Sequence, residues 1–154
     1  MKEIKKIRRN LEFFMVCLVL SGLTALPIES ELYWIVNHDD VFPVILQNWF
    51  SEIYLAIKHS NLHNPQLAYG TDWLAFAHIV IAVVFIGPWK NPIKNSWVIQ
   101  FGLIACAMII PFALITGYIR EIPWYWRLID CAFGIVGAIP MWNCYSLIKK
   151  IENN

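Results

Sequence analysis

His78 and Asp130 are ionisable residues inside otherwise apolar stretches, and their types could do proton chemistry. A carboxylate close to an imidazole favours the charged ring and can orient it as a base or an ion-coupling group. At about 1.5 Å rise per residue, His78 lies roughly 7–8 Å inside Trp73, and Asp130 roughly 6 Å inside Trp126. Thr116 is two residues below Tyr118, and Glu29 leaves the first apolar run near the same level. With Arg127 one helical turn from Asp130, the candidate pocket is His78, Asp130, Glu29, Thr116 and Arg127. The plainer reading pairs Asp130 with Arg127 and lets His78 hydrogen-bond a neighbouring helix.

Other polar groups suggest narrower chemistry. His59 and His63 stand at i and i+4, which puts two imidazoles on one helical face as in many zinc sites, but no third ligand has matching spacing. They are weak metal candidates, and no metal or other cofactor is expected. His38-Asp39-Asp40 reads as a solvated helix start with Asp39 or Asp40 as N-cap. Gln100 and Asn143, each about four to five residues from the inner boundary of its span, read as an amide pair across helices. No G-x-S-x-G, H-E-x-x-H, Walker or Gly-x-Gly-x-x-Gly pattern occurs. Apart from the flanks, the inner half of the spans has no ionisable residue, which argues against a continuous ion path.

Residues 97–118, WVIQFGLIACAMIIPFALITGY, carry no formal charge and have an aromatic ring at each end. As a helix they reach about 33 Å, enough for a hydrocarbon core of about 30 Å. Similar stretches over about 11–28, 73–89 and 128–148 make four expected spans in a single membrane domain, 1–154. The 58% apolar and 15% charged content falls on the lipid side of the soluble averages, about 45–50% and about 25%. The expected fold is an all-α integral membrane four-helix bundle. Gly87-Pro88 should stop the second span, and 120–123 should form a tight turn before the aromatic belt Trp124, Tyr125 and Trp126. On the last span Asp130, Gly134, Gly137, Met141 and Cys144 share a face, with Gly134 and Ala138 as a small-xxx-small contact. All four cysteines lie in apolar segments, where a thiol acts as a small hydrophobe.

Between the first two spans, Leu46, Trp49, Phe50, Ile53 and Ile57 recur at helical steps opposite Gln47, Asn48, Ser51, Glu52 and Lys58. This predicts an amphipathic helix over about 40–60 in the first extracytoplasmic loop, at the interface or over the outer mouth of the bundle. Lys2, Lys5, Lys6, Arg8 and Arg9 precede the first span, Lys90 and Lys94 the third, and Lys149 and Lys150 follow the fourth. That bias places both termini in the cytoplasm. A basic start before a short apolar run is also the layout of a signal peptide, but no clean small-x-small site precedes Glu29, so the segment reads as a retained helix. A net charge of +1 gives no reason to expect a nucleic-acid partner.

Leu20-Ser21 followed by Glu29 at the first helix exit, Phe42-Pro43-Val44 in the loop and Ile109-Ile110-Pro111 in the third span carry a resemblance. With the four-span layout, they resemble the EXPERA-type four-helix membrane proteins, the sterol isomerase and sigma-2 receptor group. The resemblance implies a lipophile-binding cavity and no more. The carboxylate that the family's second span would place in such a cavity has no match, since that helix offers only His78.

The leading functional reading is a small polytopic membrane protein without catalysis, an accessory or interaction subunit. Its partners would be the lipid bilayer and another membrane protein. The second reading is a binder or isomerase of a lipophilic ligand through the outer polar pocket, and a transporter ranks third.

Overall fold

The computed structural model describes residues 2–153, and Asp39 by its backbone alone. Among them every regular element is helical: α1 (Lys2–Ala25), α2 (Ile28–Val36), α3 (Val44–His63), α4 (Pro65–Val84), α5 (Ile86–Lys90), α6 (Ser96–Ile119) and α7 (Trp124–Glu152), with a 3-10 turn at Asp39–Val41. Three stretches, Pro65–Lys90, Ser96–Ile119 and Trp124–Glu152, are long and apolar enough to cross a membrane, and α1 with α2 counts as a fourth only if that pair, bent by 79°, is one span.

Prolines set most of the boundaries. Pro27 has no N–H for the Leu23 carbonyl, so α1 ends at Ala25, inside the span expected at 11–28, and α2 departs at the bend. The basic start, taken as a flank of that span, is itself the first turns of α1. Pro43, in extended conformation, opens α3 and accepts from Leu46 N and Gln47 N at 2.8 and 3.1 Å. It holds the N-cap position expected for Asp39 or Asp40; those two lie in the 3-10 turn, and the Asp39 side chain is outside the described residues. Pro65 opens α4 after a single linking residue, Asn64. The second span breaks one turn earlier than Gly87-Pro88: Pro88 leaves the Val84 carbonyl without its donor, α4 ends there, and α5 resumes past Phe85.

The chain forms two compact units, Met1–Cys17 with Ala82–Asn154, and Leu18–Ile81. In the first, the buried residues of α6 (Val98, Ile99, Gly102, Cys106, Ala113, Gly117) form one helical stripe that meets Cys131, Gly134, Met141, Cys144 and Ile148 of α7. Glycine permits the approach: a methyl at 134 would stand 2.5 Å from the Cys106 carbonyl oxygen. The first half of α1 completes this core with Ile7 and Leu11, both fully buried, and Phe14 meets Phe85 edge-on at 4.9 Å. Arg8 is more than a flanking cation. Its Nε donates to the Trp89 carbonyl at 3.0 Å and its guanidinium lies 5.3 Å from the Trp89 ring centre, capping the end of α5.

α6 ends in a Schellman turn, with Ile122 N bonded to Gly117 O at 2.8 Å and Glu121 N to Tyr118 O at 3.2 Å. Glu121 holds the left-handed position at φ 57°, where a Cβ costs about 1–2 kcal/mol. Glu121→Gly should therefore stabilise the unit by about 1 kcal/mol and raise a detergent melting temperature by roughly 2–4 °C. A lower melting temperature would mean that the glutamate side chain holds the turn.

In the second unit α2 packs on α3 through Tyr33 against Tyr54 at 6.0 Å, and Phe42, in the link after the 3-10 turn, meets Phe50 of α3 at 5.4 Å. The apolar residues expected to line one side of this helix, Leu46, Trp49, Phe50, Ile53 and Ile57, are half-buried; of the five expected opposite them Asn48, Glu52 and Lys58 are exposed, whereas Gln47 and Ser51 are half-buried. Gly22 of α1 admits α4: a methyl there would lie 2.7 Å from the Ala75 carbonyl oxygen.

Candidate functional site

The five pocket candidates fall in two units, Glu29 and His78 in one and Thr116, Arg127 and Asp130 in the other. Glu29 sits just past the Pro27 bend, and its carboxylate accepts a hydrogen bond from Asn61 Nδ2 of α3 at 2.5 Å. It borders a cavity of about 320 Å³ between the ends of α1 and α4 and the helices α2 and α3. Ser30, Ser60, Asn61, Thr71 and Asp72 supply the remaining polar lining, with Ile57 and Leu67 among the apolar residues. No lysine or arginine lines it, so two carboxylates set its charge.

His78 is half-buried on α4, beside the close approach at Gly22. Its Nδ1 is 2.8 Å from the Leu74 carbonyl, which can only accept, so Nδ1 carries the proton. The expected bond to a neighbouring helix is replaced by this contact within its own helix.

In the other unit Asp130 and Thr116 line a cavity of about 260 Å³ with Arg120, Ile109, Phe112 and Ile122. Thr116 Oγ1 donates back to the Phe112 carbonyl at 2.6 Å. The expected ion pair between Asp130 and Arg127 is absent from the three pairs formed among the described residues. Arg127 instead lays its aliphatic stem across Gly117, where a methyl would be 2.6 Å from its Cγ and Cδ. Its Nε is buried there without a hydrogen bond.

The remaining polar candidates are placed as follows. His59 and His63 stack at 4.1 Å between ring centres, with His63 Nδ1 on the His59 carbonyl at 2.9 Å, and no group of three metal-ligating side chains forms among the described residues. His38 stacks on Trp34 at 4.6 Å and bonds its carbonyl. Gln100 and Asn143 lie at one level of the antiparallel α6–α7 pair, because Gly102 packs on Met141 and Gly134 on Cys106. Both amides are exposed, and the bond expected between them is not made.

Sequence reasoning missed Asp72 and Asn61. Asp72 directly precedes the apolar run of the second span, and Asn61 stands four residues past Ile57, in line with the apolar side of α3. The signal available was a carboxylate and an amide at the mouths of elements that also end beside Glu29. No protein-family model, curated protein or solved structure matches the chain.

Proposed function

We propose that the chain is an integral membrane protein with four crossings and cytoplasmic termini, acting as a non-catalytic subunit that binds another membrane protein. The observation that carries this reading is the outward placement of Gln100 and Asn143. Both belong to stretches apolar enough to span, both are exposed, and the two share one level. An amide facing lipid tails leaves its donors and acceptors unmet, and an adjacent helix bearing polar side chains meets them. Exposed apolar residues over the rest of α6 and α7, such as Ile104, Phe112 and Ile135, need only lipid or an apolar partner.

A second reading rests on the cavity beside Glu29: an amphipathic small molecule would place its polar end on Glu29, Asn61 and Asp72 and its apolar end toward Ile57 and Leu67.

One experiment addresses both readings: native mass spectrometry of the tagged chain released gently from membranes. The double variant Gln100→Leu/Asn143→Leu should keep its melting temperature and recover roughly tenfold less of a co-purifying protein, from two interhelical hydrogen bonds. Equal recovery from variant and parent would sink the subunit reading. A small-molecule adduct that disappears with Glu29→Gln would move the weight to the second.

A further inference from the structure

The first turns of α1 divide their cations between two sides. Arg8 turns inward to the Trp89 and Lys90 carbonyls. Lys2, Lys5, Lys6 and Arg9 stand at i, i+3, i+4 and i+7, along one helical face, and all four are exposed. Lys90 and Lys94, at the end of α5 and in the turn that follows, are exposed as well.

The carboxylates of this end are already engaged. Glu3 takes Lys6 at 4.0 Å and Lys150 at 3.8 Å, Glu12 accepts from the Trp89 indole at 2.8 Å, and Glu152 pairs with Lys149 at 2.9 Å. Among the described residues, Lys2, Lys5, Arg9, Lys90 and Lys94 have no acidic partner. Five uncompensated cations at one end stand out in a chain whose net charge is +1. Their place on α1 is also unfavourable by itself, since the positive end of the helix dipole lies among Lys2, Lys5 and Lys6, with Glu3 as the only acid of the first turn. An anion at this face relieves both the mutual repulsion and the dipole.

We propose that the cationic face of α1, together with Lys90 and Lys94, binds the phosphate headgroups of anionic phospholipids in the cytoplasmic leaflet. The proposal rests on the membrane-spanning reading above. That reading puts these residues directly beside a bilayer surface, where basic groups next to a span hold anionic lipid. The chemistry required of the ligand is a phosphodiester with net negative charge; a zwitterionic headgroup offers the same phosphate but returns the charge.

The test uses the full chain in detergent, with phosphatidylglycerol or phosphatidylcholine added and bound lipid read by native mass spectrometry. The parent should retain phosphatidylglycerol in preference to phosphatidylcholine, and high salt should erase the difference. In Lys2→Gln/Lys5→Gln/Arg9→Gln the apparent affinity should fall on the order of a hundredfold, from three factors of about five. Circular dichroism of the variant should match the parent and its melting temperature should not fall, because glutamine keeps helix propensity and the exposed cations it replaces oppose the helix dipole. Equal retention of the two lipids by the parent, or unchanged preference in the variant, overturns the proposal. Alkaline carbonate extraction separates the two levels. A chain that stays in the membrane but lacks lipid preference refutes only the headgroup site, whereas a chain released by carbonate refutes the spanning reading and the site with it.

Discussion

Gly134→Val should cost about 3 kcal/mol, the upper part of the range for overpacked interiors, and lower the melting temperature by roughly 6–12 °C. The group a side chain would meet is the backbone carbonyl of Cys106, 2.5 Å from the first added carbon, with Ile109 Cβ at 3.2 Å. A carbonyl held in a helix cannot swing aside as a side-chain tip can, so α6 and α7 must separate along their shared stripe. Gly70→Ala is the control, because a methyl at Gly70 in α4 meets nothing within 4 Å. It should be neutral or add about 0.5–1 kcal/mol through helix propensity. Tryptophan fluorescence melting in one detergent checks both variants. A Gly134→Val protein as stable as Gly70→Ala would mean that the two helices do not pack through this glycine.

Phe85→Ala is the second large loss, about 3 kcal/mol. Phe85 is 1% exposed in the break between α4 and α5, stacked edge-on with Phe14 and touching Gly102, where a methyl would be 3.0 Å from its Cζ. If the surroundings are lipid, water transfer contributes little, and the cost is that of the cavity and of the lost dispersion contacts. The same geometry predicts coupling. Gly102→Ala should destabilise the parent and cost less in Phe85→Ala, where the ring it would strike is gone and only the flexible Met141 tip, 3.1 Å from the methyl, has to shift. Additive losses in the double variant would show that the two sites do not share this contact.

What the sequence made legible is one-dimensional. An all-helical chain with apolar stretches of spanning length follows from composition and run length, and the inward side of α3 follows from its 3.6-residue period. Proline positions were legible but their reach was not: Pro88 acts on the carbonyl four residues before it, so the break falls at Val84 and Phe85. The candidate site was less legible, because it depends on tertiary choices. Arg127 and Asp130 have the spacing of an ion pair, yet Arg127 spends its stem on Gly117, a contact no helical wheel contains. Gln100 and Asn143 have matching depth but not the bond that depth suggested. Asn61 reaches Glu29 across 32 positions, and the amphipathic pattern ended at Lys58 without it.

The contact between Arg8 and Trp89 joins residues 81 apart in sequence, which gives it a date as well as a geometry. At synthesis rates of about 5–20 residues per second, Trp89 emerges roughly 4–16 s after Arg8. Throughout that interval the guanidinium has no carbonyl of α5 to bind, and on the four-crossing reading proposed above it would count with its neighbours among the charges that orient the first helix. Once α5 arrives, the same group is withdrawn to cap two carbonyls. On that reading one side chain would serve as an insertion signal early and as a clasp late, and Arg8→Lys would keep the first role while weakening the second.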